Sequence, residues 1–479
     1  MSKVILLLLT LLPGMVSAES TAPLRALSLN EVLDAALRAF PGLLSVEQRK
    51  QVSEGELQSA QGGFDTLLKS QNRWSVVGLY ENNNYDVVIE QPTSFLGATF
   101  FGGWRRGTGD YPVYDGKSLT ASDGEARLGV NIPLWRNRDI DRRRASLQQA
   151  ELGKLIANHE FDQALLEVRR QASHRYWDWV LAGVRVRTVQ QLLQVAEQRN
   201  DGILQRVAAG DIPEFEALDN QRAIIERRER LVAAQRLLEQ SAIQLSLYWR
   251  DVEGQPQMPT TELLPNDFPN QEPKIQLSFD EAIDVAISQR PELKRLALQS
   301  QQTETELALQ ENQQNPAVDF QVMGAKDIGY GKDKLNRDEL YLGLNVDIPL
   351  QQRVAGGRAQ VASANLQRLK WDRMGAENRV EAEVKDVLSA LNAAQKRVTL
   401  SRQQHQAAKE LEDGERTRFE LGETTLLFVN LREIATGDAL LQAADAASSL
   451  FKAHADYAAT LALPLSDHLQ EGGEHENQP

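Results

Sequence analysis

The sequence carries one unit twice, and that doubling limits the available folds more than any single motif does. Residues 27–43 read L-S-L-N-E-V-L-D-A-A-L-R-A-F-P-G-L and residues 277–293 read L-S-F-D-E-A-I-D-V-A-I-S-Q-R-P-E-L, at an offset of 250. Val130 to Leu134 (V-N-I-P-L) recurs as Val346 to Leu350 (V-D-I-P-L) at 216, and Arg206 to Gly210 recurs loosely as Arg418 to Gly422 at 212. Three landmarks repeated in one order are the mark of an internal duplication. The fall in offset places about 34 extra residues between 43 and 130.

Each half opens with an amphipathic helix. Ser28 or Asn30 can cap the first and Ser278 or Asp280 the second, and Pro41 and Pro291 end one helix and suit the first turn of the next. Glu- and Gln-rich helical stretches follow over about 42–68 and 292–314. The period then changes to alternation, which predicts strands near 70–80, 123–134, 317–325 and 339–350. Leu340, Leu342, Leu344, Val346, Ile348 and Leu350 share one face, opposite Glu339, Tyr341, Gly343, Asn345 and Asp347. Ala126, Leu128, Val130 and Ile132 oppose Glu125, Arg127 and Asn131, and Val318, Phe320 and Val322 oppose Asp319 and Gln321. The strand near 70–80 is ragged around Trp74, Val76, Gly78 and Tyr80. An insertion at 81–121, rich in Gly, Asn and aromatics, reads as a loop that includes Trp104. Trp74, Trp104 and Trp135 suit interfacial belts.

Long helical stretches follow each strand pair, with predicted hairpins over about 136–248 and 352–462. Leu165, Val168, Ala172, Trp179, Ala182, Val186, Val189, Leu193 and Ala196 keep a 3–4 alternation broken by Arg175. Val380, Val384, Val387, Leu391, Ala394 and Val398 do the same. That repeat predicts coiled-coil packing, with turns at Gly210 and Gly422 and a return through Ala217, Ile224, Leu231, Leu238 and Leu245. A helix from Arg136 to Gly210 would be about 110 Å long, more than a globular domain needs.

The N-terminus reads as a secretory signal peptide over 1–18: a basic start, an aliphatic run from Val4 to Leu12 and Val16-Ser17-Ala18 before the cut. The remaining divisions are a first repeat at 19–250, a segment at 251–276 with five prolines, a second repeat at 277–463 and an acidic tail at 464–479. Strands of about ten residues suit a tilted crossing of a bilayer. Four cannot close a barrel alone, because about eight is the smallest workable number, and open edges are not tolerated in lipid. Membrane strands here therefore require several copies to share one barrel, in contact with lipid. The alternative is a soluble periplasmic coiled-coil scaffold or adaptor.

A net charge of −14 excludes the basic surface a nucleic-acid partner needs, and the absence of cysteine excludes thiolate metal sites and cysteine nucleophiles. Histidines at 159, 174, 405, 454, 468 and 475 have no ligand spacing, and no nucleophile elbow or phosphate loop is present. The expectation is no enzyme, no cofactor and no metal.

In its doubled S-L-N-E-V-L-D-A-A-L…P-G-L and S-F-D-E-A-I-D-V-A-I…P-E-L openings, its doubled I-P-L strand ends and its turn glycines, the chain resembles the TolC family of outer-membrane efflux and secretion channels over about 27–463. The resemblance implies an α+β membrane protein: a homotrimer with four strands per chain, a shared twelve-stranded barrel and an α-helical periplasmic tunnel. The stretch 251–276 and the C-terminal region would suit the family's equatorial belt. A periplasmic adaptor would meet the tips, Gly210, Gly422, Arg206 and Arg418, and an inner-membrane pump or ABC exporter would supply the drive. The implied role is a passive exit duct. Family acidic positions six and nine residues past the turn glycine fall on Glu216 and Asp219 in the first hairpin, and on Phe428 and Leu431 in the second. The implied pore entrance is therefore Glu216 and Asp219 with Phe428 as an apolar constriction. Thr424 stands where the family member considered has a locking arginine. Glu125, Arg127, Asn131, Asp319, Gln321, Glu339 and Asp347 would face a water-filled lumen. On the residues alone, Glu216 and Asp219 also read as a solvated helix face.

Overall fold

In the computed structural model, described for residues 25–269, 277–331 and 337–463, the duplication begins with the same cap twice. Ser28 Oγ accepts from the Glu31 N–H at 3.3 Å while Glu31 Oε2 accepts from the Ser28 N–H at 2.7 Å. Ser278 and Glu281 repeat this at 3.5 and 2.9 Å. These reciprocal bonds satisfy free donors at the helix start. They also hold Glu31 below the usual carboxylate range through the Ser28 backbone, and Glu281 likewise through the Ser278 hydroxyl. The capped helices are α1 (Leu29–Ala39) and α5 (Phe279–Gln289), followed from a proline by α2 (Pro41–Gln61) and α6 (Pro291–Asn312).

Six strands form one antiparallel sheet in sequence order: β1 (Leu67–Ser75), β2 (Asn82–Pro92), β3 (Thr99–Gly109), β4 (Glu125–Pro133), β5 (Ala317–Asp327) and β6 (Glu339–Asp347). The four expected strands are β1, β4, β5 and β6, and the sheet holds two more. The insertion read as a loop supplies β2 and β3, which stand between β1 and β4 in the sheet. Trp104 is accordingly a strand residue of β3, and β1 stops before Val76, Gly78 and Tyr80.

The long helices are α3 (Arg142–Ala208) and α7 (Arg353–Glu420), of 67 and 68 residues, followed by α4 (Glu214–Ser246) and α8 (Leu426–Thr460). Val380, Val384, Val387, Leu391, Ala394 and Val398 of α7 are all buried, as are Val168, Ala172, Trp179, Ala182, Val189, Leu193 and Ala196 of α3. Arg175, which breaks that run, donates to Gln244 Oε1 at 2.8 Å. No described helix is long and apolar enough to cross a membrane.

The chain forms two compact units, each drawing on both halves of the repeat. Among the described residues, one comprises 25–35, 175–269 and 401–448, and the other 36–174, 277–331, 337–400 and 449–463. The first holds both hairpin turns and the second the whole sheet. Segment 251–269 packs on α3 within the first unit: Phe268 stacks on Trp177, and Arg187 donates to the Pro265 and Asn266 carbonyls. The expected signal peptide and acidic tail, and residues 270–276 of the proline-rich segment, lie outside the described residues.

Candidate functional site: the hairpin tips and a two-faced sheet

Both hairpins turn by one device. Gly210 and Gly422 each have φ near 77°, the left-handed region that costs other residues about 1–2 kcal/mol. The Gly210 N–H donates to the Val207 carbonyl and the Asp211 N–H to that of Arg206, while Gly422 and Glu423 repeat this on Phe419 and Arg418. Arg206 and Arg418 thus supply closing carbonyls. The Arg206 guanidinium lies 5.8 Å from the Phe419 ring centre, and Arg418 pairs with Glu415 at 3.6 Å and Glu423 at 3.8 Å. Below the turns, Ile203, Leu426 and Val429 are buried with Phe419, Ile212 and Ala217 against them.

Leu427, Phe428 and Leu431 are about half exposed and Phe215 and Leu218 more so, an unusual amount of large apolar surface for helix ends. Glu216 is 9% exposed within the single chain. Loss of water raises its pKa, and the Asp219 charge adds to the rise. Asp219 is held from two sides: Arg222 Nη2 donates to Oδ1 at 3.1 Å, and Asn430 Nδ2 donates to Oδ2 at 3.3 Å.

Behind this pair lies a cluster the sequence reading missed. Glu433 of α8 is 1% exposed; Arg199 Nη2 of α3 lies 2.6 and 2.7 Å from its two oxygens, and Arg227 Nη2 of α4 lies 2.9 Å from Oε2. Arg416 of α7 approaches Oε1 at 3.5 Å, so all four helices meet at one carboxylate. Arg227 also donates to the Leu192 carbonyl at 2.6 Å, and Asn220 to that of Ala196 at 3.3 Å. For Asn220 and Arg227 a signal does exist. Asn220, Arg227, Ala234 and Ser241 keep a seven-residue spacing interleaved with the apolar one, and all four are buried. Polar residues at seam positions fix register at a cost in stability.

The sheet sorts most of its side chains by charge, with Arg106 and Lys326 the exceptions on the apolar face. The strand registers place Tyr85, Val87, Ile89, Phe100, Trp104, Leu128, Val130, Phe320, Val322, Leu342 and Leu344 on one face. Leu128 is 71% exposed and Leu342 65%, far more than a single soluble chain would leave in a continuous patch. All seven expected lumen residues, Glu125, Arg127, Asn131, Asp319, Gln321, Glu339 and Asp347, are on the other face. There Lys69 pairs with Glu90 at 2.6 Å, Arg105 with Glu125, Arg127 with Asp86, and the Tyr341 hydroxyl donates to Glu339. Of the three tryptophans expected at the interfaces, Trp104 occupies the apolar face, Trp74 meets Tyr85 edge-on at 6.2 Å, and Trp135 is exposed just past β4. Among the described residues, no group of three or more His, Asp or Glu is arranged to hold a metal ion.

Residues 96–249 match the family model described as outer membrane efflux protein. No curated protein matches the sequence. The CmeC outer membrane channel of Campylobacter jejuni aligns over 91% of this chain and 85% of its own, with TM-score 0.63 at 13% identity. The VceC outer membrane protein of Vibrio cholerae aligns over 91% and 97%, with TM-score 0.62 at 16% identity. The open state of the MtrE outer membrane channel of Neisseria gonorrhoeae aligns over 93% of each chain, with TM-score 0.63 at 15% identity. At such identities the likeness is one of fold. Residues 96–249 thus match the outer membrane efflux protein model, and the chain as a whole has the fold of these outer-membrane channels.

Proposed function

We propose that this protein is the outer-membrane exit duct of an export pump, a passive channel whose strands line a pore and whose helical hairpins close its periplasmic end. The sheet is the observation that carries this reading. It has one exposed apolar face, one charged face and two free edges, an arrangement that suits lipid outside and water inside once several copies join. Three copies are the number the fold family suggests. Glu125, Arg127, Asn131, Asp319, Gln321, Glu339 and Asp347 would then line the lumen, and their polarity follows from the water they face.

Glu216, Asp219 and Phe428 would narrow the periplasmic entrance. Copies around an axis bring like charges together, which attracts cations. The exposed Phe215, Leu218, Leu427 and Leu431 beside Gly210, Gly422, Arg206 and Arg418 would meet a periplasmic adaptor, with an inner-membrane pump supplying energy. The chain offers transport no chemistry of its own; cargo passes by diffusion.

Purified oligomer in a planar bilayer tests the entrance. Wild type is expected to conduct ions and to be blocked by multivalent cations from the hairpin side. Glu216→Gln with Asp219→Asn should weaken that block about tenfold or more. An unchanged block would remove both residues from the pore, and absence of any conductance would reject the channel.

A further inference from the structure

We infer that the β2–β3 hairpin is part of the pore wall, so that each chain gives six strands to a shared barrel closed by β6 of one copy on β1 of the next. The inference rests on the outer-membrane reading above and departs from an account in which residues 81–121 project from the membrane as a loop.

The hairpin spans the full height of the sheet. Its flanking connections at 76–81 and 110–124 lie on the edge away from the helices, and its own turn at 93–98 lies on the helical edge. There Gln91 Nε2 donates to the Phe64 carbonyl at 2.8 Å, just before β1. Gly97, at φ 69°, fits so closely that a Cβ would come within 2.5 Å of the Asn137 carbonyl and 3.1 Å of Arg144 Nη2. A surface loop has no reason to return to that shoulder. Eleven residues in each of β2 and β3 is also the length of a tilted crossing.

Both faces continue across the hairpin, with Arg106 the one charge on its apolar side. Tyr85, Val87, Ile89, Phe100 and Trp104 extend the apolar face, while Asp86, Glu90 and Arg105 extend the charged one. Arg127 of β4 reaches Asp86 of β2 across β3, where Gly103 leaves the charged face clear. A four-stranded contribution would need β1 to pair with β4, and β2 and β3 occupy the sides both would use.

The two edges suit each other. β1 and β6 are each nine residues long, and an even number of strands makes their junction antiparallel. The row of registered partners that starts at Leu67 ends at Tyr341. Full overlap, Leu67 on Asp347, therefore needs a stagger of one residue per strand. With a rise of about 3.3 Å and a spacing of about 4.8 Å, that is a tilt of roughly 35°, within the range of closed barrels. In this register Lys69 is diagonal to Asp347 and Arg73 to Glu339, opposite charges on the lumen face. The partner is thus a second copy of this chain. Barrel diameter grows with strand number, so three copies with eighteen strands give a mouth about 1.5 times as wide as twelve would.

The absence of native cysteine makes the test direct. Full-length protein carrying Lys69→Cys and Asn345→Cys, oxidised in envelopes, should give chains linked in pairs and threes. Ser70→Cys with Val87→Cys should instead form a disulfide within one chain. Val87→Asp should lower outer-membrane oligomer at least tenfold, whereas Val88→Asp, one residue on and facing the lumen, should leave it near wild type. Equal recovery or equal loss of the two aspartate variants would overturn the inference, as would a Ser70→Cys/Val87→Cys protein that stays reduced. Wild type found outside the outer membrane would instead overturn the channel reading beneath it.

Discussion

Glu433 and Arg199 form a two-oxygen ion pair at 2.6 and 2.7 Å across helices from opposite halves of the duplicated chain, with the carboxylate almost wholly buried. Arg227, itself 4% exposed, depends on the same carboxylate. Removing one partner of a buried pair leaves the other charge uncompensated, which typically costs about 3–5 kcal/mol. Glu433→Ala should therefore lower the opening free energy of the α4 and α8 amides near the tip by about that amount in hydrogen exchange. Arg416→Ala, which removes a half-exposed and more distant partner, should change it by about 1 kcal/mol or less.

Glu216 works in the opposite direction. Burial and the neighbouring Asp219 raise its pKa, so the folded state binds its proton more tightly than the unfolded chain does. The penalty of the buried charge is present at neutral pH and is relieved as pH falls through the raised value. Protection of the first turns of α4 should accordingly increase on acidification from pH 7 toward the upper carboxylate range. Glu216→Gln should show the higher protection already at pH 7 and lose the dependence.

Asp456 on α8 has the reverse sign. Burial works to raise its pKa, but the hydrogen bond and charge of His174 at 2.9 Å, with Arg170 at 3.4 Å, outweigh burial and hold it below the usual range. Its contribution is complete above the ordinary aspartate value and is lost as pH falls through the depressed one. The site is a third exposed, so Asp456→Asn should cost about 1 kcal/mol or less at pH 7, read as a lower thermal midpoint. The difference from wild type should vanish at strongly acidic pH.

The turn glycines predict a matched pair of effects. Nothing surrounds a Cβ at either Gly210 or Gly422, so alanine would meet no clash and only the strain of φ near 77°. Gly210→Ala and Gly422→Ala should each destabilise their own tip by about 1 kcal/mol, similar in size because the two turns share their hydrogen bonds. Limited proteolysis should find new cleavage at the altered turn and none at the other.

Most of the fold was legible because it repeats. The S-x-x-E caps, the prolines that follow, the heptads of α3 and α7 and the strict alternation of β4 and β6 each state a local geometry that the second copy restates. The β2–β3 hairpin was not legible. Asn82 to Asn84 and the glycines at 102, 103, 107 and 109 have the composition of a loop, and Val88 blurs the alternation of Tyr85, Val87 and Ile89. Those glycines make sense only with neighbours in place: the main chain of β2 lies against Gly103 and the Phe101 ring covers Gly129. At the tip, Glu216 and Asp219 came from the offsets that the family resemblance implies, counted from Gly210. Glu433 was hidden because its burial depends on arginines contributed by three other helices, a convergence that no spacing within α8 records.

The central claim is that this chain becomes an integral part of the outer membrane as an oligomer. Density-gradient fractionation of alkali-washed envelopes tests it most directly, following the wild-type protein through the fractions. The account predicts recovery in the outer-membrane band as a heat-sensitive oligomer, since six strands cannot close alone. Release of the protein into the alkaline wash as a monomer would contradict the channel and leave a soluble periplasmic coiled-coil scaffold in its place.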